Sequence, residues 1–257
     1  MLKRFVKFIC VVLCIVMLLP FAAVAEGYHV SGDSKPYIDP DEPIVHGDLK
    51  EGSWYTPYCT RAYYDGYMVG TSDTTFSPNE IVTREMATVI IVSIVLKENN
   101  KELPHYTTIY FSDVAPDKWY SDSIQWAYEN KITAGIGNNK FGLGQPVTRQ
   151  DFATMLYNIS AKDRWVPSFY EENQIEKNFE EEPSEYAKEA IRVFTSWVMG
   201  TASDEYYDHL EVNRVPPVIQ GYPDGTYRLK GSITRAEMAT MVFVFTFRYN
   251  YNVITLS

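Results

Sequence analysis

Three stretches of the chain place a Thr-Arg pair directly before apolar residues at helical spacing. In the clearest, residues 233–240 (ITRAEMAT), Thr234 is a favoured N-cap residue, and Glu237 three positions later completes a capping box. The apolar residues that follow recur on one helical face: Met238, Met241, Val242 and Phe245. This pattern predicts a helix that begins after Thr234 and buries one face.

Weaker copies of this stretch occur at residues 147–154 (VTRQDFAT) and 82–88 (VTREMAT). The first keeps the spacing, whereas the second has one residue fewer between its arginine and the Met-Ala-Thr that follows. Aligned from Phe76, Arg84 is equivalent to the later arginines, but aligned from residues 86–88, Thr83 takes that place. One residue turns a helix by about 100°, so the two alignments predict different faces.

The repetition extends beyond the Thr-Arg stretch. Five residue types recur 65 positions apart: Asp48 and Asp113, Trp54 and Trp119, Gly70 and Gly135, Phe76 and Phe141, Thr83 and Thr148. From Thr148 to Thr234 the offset is 86, and the extra 21 residues match the distance from Gly200 to Gly221. We therefore predict three repeats, the third with a surface-loop insertion at 201–220.

Each repeat is predicted to contain a short helix, a glycine-bearing loop and the Thr-Arg helix. In the second repeat, residues 117–119 begin the first helix, with a buried stripe of Ile124, Ala127 and Tyr128, and Gly135 ends it. The Thr-Arg helix runs from Thr148 to about residue 160. Two short helices do not bury their faces alone, so the repeats must share a core in a mainly α fold.

The first 25 residues have the pattern of a secretory signal peptide, with a basic start, an apolar stretch and an Ala-Val-Ala cleavage site. An uncleaved membrane anchor is the alternative. The predicted organisation is signal 1–25, linker 26–45, repeats 46–104, 105–170 and 171–250, and tail 251–257. The acidic segment 171–183 is interpreted as a solvated connection, with a calcium site as the weaker alternative.

The charge of the chain limits its partners. The net charge is −10, and loss of the three basic residues of the signal would make it −13. This excludes electrostatic binding along nucleic acid or to an anionic surface, so an anionic ligand needs local cations. Cys10 and Cys14 would leave with the signal, and Cys59 alone forms no intrachain disulfide.

Candidate cations are the arginines in the first turn of the Thr-Arg helices. A helix N-terminus disfavours positive charge, so Arg149 and Arg235 require a reason. One reason is a structural ion pair with a neighbouring carboxylate. The other is a ligand carboxylate, held by the guanidinium group together with the backbone N–H groups at the helix starts of Thr148 and Thr234.

The repeated residues together resemble the S-layer homology domain. They are FSDV at 111–114, Trp119-Tyr120, Gly135, Phe141 and VTR at 147–149, with GYPDGTY at 221–227 and ITRAE at 233–237. The resemblance covers about residues 46–250. It implies a pseudo-threefold bundle with the three Thr-Arg helices at its centre. It also implies grooves between adjacent repeats that bind cell-wall polysaccharide carrying ketal-linked pyruvate.

The resemblance also implies ligand residues. The family's arginine matches Arg149 and Arg235, and Arg84 under one of the two alignments. Trp119 or Trp54 would cover a sugar face, with burial in the core as the alternative for these rings and for Trp126. Gly135 would let the backbone approach the sugar, and Asp113 is a candidate contact with a turn hydrogen bond as its alternative. The third repeat lacks the tryptophan, so either Tyr186 replaces it or that groove is degenerate.

Other function classes find little support in the sequence. The four histidines show no metal-binding spacing, and no nucleophile–base pair or carboxylate pair stands out. The apolar segment 241–245 is interpreted as bundle core rather than a membrane-binding face.

We therefore expect a secreted, non-catalytic cell-surface protein that needs no cofactor and binds cell-wall polysaccharide. Arg149, Trp119 and the 135–142 loop are its expected main site. The alternative is a self-associating surface-layer or assembly protein that binds other surface proteins through its fold, with degenerate glycan grooves.

Overall fold

The computed structural model describes residues 43–162, 182–196, 198–199, 214–215 and 217–255. This part of the chain is mainly helical, as predicted, with six α-helices: α1 Thr56–Tyr64, α2 Arg84–Glu98, α3 Ser121–Glu129, α4 Arg149–Lys162, α5 Lys188–Phe194 and α6 Arg235–Thr255. A 3-10 turn, Glu185–Ala187, precedes α5. The predicted signal, most of the linker and nearly all of the acidic connection lie outside the described residues.

The three Thr-Arg helices α2, α4 and α6 begin at Arg84, Arg149 and Arg235. At α6 the capping box has formed: the Thr234 N–H donates to Glu237 Oε2 at 2.8 Å, and the Glu237 N–H donates to Thr234 Oγ1 at 3.3 Å. The second repeat uses a shorter acid, because the Asp151 N–H donates to Thr148 Oγ1 at 3.2 Å. The predicted helix starts are thus confirmed, and those of α4 and α6 have formed side-chain caps.

The alignment of the first repeat from residues 86–88, which put Thr83 in the place of the arginine, is wrong. No residue is missing between the start of the helix and its first buried position. Arg84 occupies the first helical position, and Ala87, Phe152 and Met238 are equivalent fully buried positions in the three helices. The acid of the capping box is replaced by Met86. As a result Thr83 makes no side-chain cap, and its hydroxyl is buried without a hydrogen-bond partner among the described residues.

The apolar stripe of α6 lies in the main core. Met238, Met241, Val242 and Phe245 are each at most 2% exposed, and the whole segment 241–245 is buried. Full burial of such side chains contributes about 1.5–3 kcal/mol each. The core interpretation of this segment is therefore confirmed.

The helices pack in a cyclic order of repeats. The first helix of each repeat contacts the Thr-Arg helix of another: α1 contacts α6, α3 contacts α2, and α5 contacts α4. The segments before the Thr-Arg helices are linked in a closed circuit: the Val82 N–H donates to Ile233 O, Ile233 N–H to Val147 O, and Val147 N–H to Val82 O, each at 3.0 Å.

The first helix of the second repeat differs from its prediction at both ends. Helix α3 begins at Ser121, two residues after the predicted start, and its C-cap is Asn130. The left-handed residue that follows is Lys131, with φ 60°, and not Gly135. Gly135 lies further along the loop, where a Cβ atom would approach Lys140 O to 2.3 Å. A close backbone approach, not a helix end, therefore requires this glycine. The buried stripe is confirmed at Ile124 and Ala127.

The described base of the third-repeat insertion is an antiparallel pair of strands, β1 Val198–Met199 and β2 Arg214–Val215. Residues 201–213 and 216 of the predicted surface loop lie outside the described residues. Val218 and Ile219, near its predicted end, are 1% and 0% exposed and belong to the main core, so the prediction of a surface loop is wrong there. Helix α6 continues to Thr255, so the described part of the predicted tail is helical. Within the described segments, none of the helices combines the length and apolar character needed to cross a membrane.

Candidate functional site

Each of the three helix-start arginines reaches the loop of another repeat. Arg84 donates through Nε to Phe141 O at 3.0 Å, and Arg235 does the same to Phe76 O at 2.8 Å. Both guanidinium groups also lie over the ring of the residue whose carbonyl they bind, at 5.4 and 4.8 Å from the ring centroid. Arg84 and Arg235 therefore occupy equivalent positions and connect neighbouring repeats.

Arg149 is held differently. Its Nη2 donates to Gln220 O at 2.8 Å, and its Nη1 contacts the Tyr222 hydroxyl at 3.4 Å and Glu237 Oε1 at 3.3 Å. The guanidinium carbon lies 4.9 Å from the centroid of the Tyr222 ring. The residue is 5% exposed, and its Nε has no hydrogen-bond partner among the described residues. A buried N–H donor without an acceptor is costly, so Arg149 keeps hydrogen-bonding capacity that the described residues do not use.

Glu237 connects Arg149 to the start of α6. Its Oε1 accepts from the Tyr222 hydroxyl and from Arg149, while its Oε2 accepts from the N–H and the hydroxyl of Thr234. Burial, followed by the hydrogen bond to Glu237, raises the pKa of Tyr222, so its phenol remains a neutral donor. The structural ion pair considered for Arg149 is thus present, although its 3.3 Å separation exceeds the 2.7–2.9 Å typical of charge-assisted bonds.

An open cleft of about 380 Å³ lies beside Arg149. Residues of all three repeats line it, including Trp54, Tyr58, Arg149, Tyr222, Pro223 and Glu237. The Trp54 side chain is 59% exposed. A guanidinium group and aromatic rings around one cleft suit a ligand that combines a carboxylate with an apolar sugar face.

The cleft differs from the expected main site in its partners. Arg149 was expected to act with Trp119 and the 135–142 loop of its own repeat. Neither Trp119 nor Gly135 is among the residues that line the cleft, which takes its tryptophan from the first repeat and its loop from the third. The structure thus brings together Arg149, Trp54 and Glu237, the acid capping Thr234, but not Arg149 with Trp119.

The exposed aromatic is repeated in all three units. Trp54 and Trp119 are 59% and 62% exposed, and Tyr186 is 59% exposed at the equivalent place before the first helix of the third repeat. Burial in the core is therefore wrong for these two tryptophans, whereas Trp126 is half-buried against the core. Tyr186 does occupy the place of the missing ring, and its hydroxyl donates to Asp151 Oδ1 at 2.5 Å.

Asp113 binds the turn of its own repeat. Its carboxylate accepts N–H bonds from Phe141 and Gly142 at 2.8 Å and from Leu143 at 3.4 Å. Desolvation acts to raise the pKa of Asp113, but these backbone hydrogen bonds together outweigh it and the pKa lies below its ordinary value. The turn alternative for Asp113 is therefore the one present in the structure.

Tyr222 and Gln220 were not identified as site residues from the sequence. The loop of the third repeat was recognised as a turn, and Glu237 only as a capping acid. The sequence does carry a signal that could have identified Tyr222. The equivalent positions are Thr71 in the first repeat and Ile136 in the second, so the third repeat differs from both there. In the part of the chain that the structure describes, no group of three or more His, Cys, Asp or Glu side chains is arranged to hold a metal ion.

The family model of the S-layer homology domain matches residues 47–87, 110–153 and 218–239. The chain carries three tandem S-layer homology domains. This assigns the protein to the cell surface and the cell wall, with anchoring as its general role. Each matched segment contains one of the three Thr-Arg helix starts, at Arg84, Arg149 and Arg235.

Several curated proteins are similar to this S-layer homology chain. An endoglucanase from Bacillus sp. (strain KSM-635) is 29% identical over 76% of this chain and 18% of its own length. A cellulosome-anchoring protein from Acetivibrio thermocellus is 24% identical over 65% of this chain and 32% of its own length. A surface-layer 125 kDa protein from Lysinibacillus sphaericus is 30% identical over 46% of this chain. The similarity spans 10% to 32% of the length of these three relatives.

Proposed function

We propose that this protein binds an acidic cell-wall polysaccharide non-covalently, through the carboxylate of a ketal-linked pyruvate held in the Arg149 cleft. The observation that carries the proposal is a nearly buried guanidinium group beside an open cleft, whose Nε has no partner in the part of the chain that the structure describes. The exposed Trp54 ring on the same cleft offers a flat apolar surface to a sugar ring. Polymer and pyruvate are inferred from the family and the chemistry of the cleft.

The ligand carboxylate would compete with Glu237 for Arg149. The present contact at 3.3 Å is long for a charge-assisted bond, so a carboxylate free to adjust its position can make a shorter one. Guanidinium groups bind carboxylates as a planar fork, which favours a carboxylate over a neutral hydroxyl. Binding would therefore be selective for acidic sugars despite the negative net charge of the chain.

We also propose that the three domains form a pseudo-threefold bundle around the Thr-Arg helices. The closed circuit of hydrogen bonds among Val82, Val147 and Ile233 supports this arrangement, as does the cyclic order of the helix contacts. An experimental structure in which rotations of about 120° superpose the three Thr-Arg helices would establish it. Ligand contacts by Trp119, Gly135, Asp113, Thr148 and Thr234 stay predictions from the sequence.

The test of the proposed function is co-sedimentation with purified, protein-free cell walls. The Arg149→Ala variant should lose most binding, since truncating one partner of a buried charge-assisted contact costs about 2–5 kcal/mol. Arg192→Ala is the matched control, because Arg192 pairs with Glu189 on an exposed face of α5. Circular dichroism of both variants shows whether the helices are retained. Unchanged wall binding by a folded Arg149→Ala variant would remove this assignment.

A second experiment changes the wall polymer instead of the protein. Walls from which the ketal pyruvate has been removed should no longer retain the protein. Equal retention on both kinds of wall would contradict recognition of the acid. Retention only by walls that still carry surface proteins would favour the alternative, an assembly protein that binds other surface proteins. Release of reducing sugar during the incubation would instead indicate an enzyme.

A further inference from the structure

The three helix-start arginines differ in what their Nε atoms contact. In Arg84 and Arg235, Nε donates to the carbonyl of the aromatic residue six positions after the loop glycine, Phe141 or Phe76. The equivalent carbonyl for Arg149 belongs to Tyr227. No described acceptor lies within hydrogen-bond distance of Arg149 Nε.

Among the described residues, Arg235 donates hydrogen bonds to backbone carbonyls alone. Its Nη2 donates to Val69 O at 2.6 Å in addition to the Nε contact with Phe76 O, and the side chain is nearly buried. Desolvation lowers the pKa of Arg235, as expected for a guanidinium group enclosed by protein. A ligand carboxylate would have to displace two backbone carbonyls that are fixed in the loop, and a backbone group cannot rotate away as a side chain can.

The third-repeat loop changes this environment for Arg149. Tyr222 stands where the other loops have Thr71 and Ile136, and the acid opposite is Glu237 where the equivalent positions hold Met86 and Asp151. Two side-chain groups, a phenol and a carboxylate, therefore face Arg149 Nη1. Both can move by rotation about side-chain bonds without opening the loop.

We propose that the chain holds one ligand carboxylate, at Arg149, and that Arg84 and Arg235 instead fasten adjacent domains to each other. Glu237 Oε1 occupies the position of the ligand carboxylate in the absence of ligand, with Tyr222 and Arg149 as its two donors. The proposal rests on the proposed function, because it specifies which of the three equivalent places is the ligand site. It also makes Tyr222 a second donor to the ligand acid.

Isothermal titration with the methyl glycoside of a 4,6-pyruvate-ketal hexose tests this stoichiometry on the intact chain. We expect one binding site per protein. R149Q should weaken binding by roughly 30-fold or more. The matched variants R84Q and R235Q should keep the affinity within about twofold while lowering the melting temperature, because they release an interdomain contact.

A separate variant tests whether Glu237 occupies the position of the ligand carboxylate when no ligand is bound. E237Q retains a side-chain oxygen for the capping box but removes the competing charge, so the affinity for the probe should rise several-fold. A fall in affinity with unchanged helical content would overturn the role of Glu237 as an occupant. Y222F should weaken binding, and unchanged affinity would remove Tyr222 from the site.

The outcomes separate the two proposals. A wild-type protein that does not bind the probe or the pyruvylated polymer overturns the proposed function itself. Two or three sites per chain, or loss of binding in folded R84Q or R235Q, overturns the single-site inference and leaves the proposed function intact. If R84Q or R235Q does not fold, the number of sites on the wild-type chain decides.

Discussion

At the scale of single residues, Asp48 and Asp113 show how a short acidic side chain fixes a loop. Asp48 accepts N–H bonds from Phe76 at 2.8 Å and Ser77 at 2.7 Å, and Asp113 repeats this arrangement one domain later. In both, desolvation acts to raise the pKa of the carboxyl, and the backbone hydrogen bonds outweigh it. The same loops present Phe76 O and Phe141 O to the arginines, so these acids position the interdomain contacts.

The lowered pKa values predict how stability depends on pH. A carboxyl whose pKa is lower when folded stabilises the protein fully above its unfolded value, near 3.8, and this contribution is lost as pH falls through the folded value. Asp113→Asn should therefore reduce the free energy of unfolding by about 1–3 kcal/mol near neutral pH. The difference from wild type should shrink as pH is lowered below 3.8.

Urea unfolding at neutral and acidic pH measures this difference. Asp73→Asn is the control, because Asp73 is an exposed residue of the equivalent loop in the first domain. A difference between Asp113→Asn and wild type that stays constant over the acidic range would mean that the ionised carboxylate is not what stabilises the turn.

At the scale of elements, the three Thr-Arg helices start alike but are capped unequally. Thr234 and Thr148 exchange hydrogen bonds with an acid three residues later, whereas the first domain has Met86 there. The Thr83 hydroxyl is buried without a partner in the described part of the chain. The packing of α2 therefore stabilises its first turn without the help of a cap.

This inequality predicts opposite effects for one substitution at equivalent sites. Thr234→Val should lower the free energy of unfolding by about 1 kcal/mol, because it removes a formed cap. Thr83→Val should leave it unchanged or raise it by up to about 1 kcal/mol, because an unsatisfied buried hydroxyl is replaced by a methyl group. Chemical denaturation of the two variants compares them directly, and an equal loss in both would contradict the capping argument.

Elements could be predicted from the sequence where local chemistry determines them. The capping box and the apolar stripe predicted the start and the buried face of α6. The 65-residue offset predicted the division of the chain into domains. The predicted end of α3 at Gly135 was wrong, because Lys131 and not a glycine adopts the left-handed conformation after the helix. The sequence around the start of α2 allowed two alignments with the other repeats. Only the burial of Ala87 in the folded core shows which alignment is right.

At the scale of the whole molecule, the cyclic order of contacts explains why the site was only half predicted. Arg149 follows from the motif, but its partners Trp54 and Tyr222 come from the domains on either side in the sequence. A repeat offset identifies equivalent residues without stating which domain faces which. The expected partners were therefore sought within one domain, whereas the packing places them in three.

The same cyclic order brings α1, the first described helix, against α6, the last. Cys59 lies in α1 at 0% exposure, and burial raises the pKa of its thiol to about 12. Its reaction with a thiol reagent should therefore require α1 to separate from its neighbours. Phe243→Leu, which weakens the packing of α6 against Tyr58, should accelerate labelling about fivefold or more.

Phe141→Leu is the matched control, since Phe141 belongs to the separate small core of the second domain. Labelling of both variants, made without residues 1–25 and their two cysteines, distinguishes local separation from global unfolding. Equal acceleration in both would mean that the thiol is exposed only when the entire fold opens.

The α1–α6 contact also has a mechanical consequence for a protein held at a wall. A tensile load applied to the polypeptide on either side of the described region acts on the domains that contribute the first and last described helices, and these two helices pack against each other. Neither terminal domain can then peel away by itself, because both share the helix pair that must break. Shear at the surface would be resisted by the joined ends until that pair ruptures, after which the domains would unravel together.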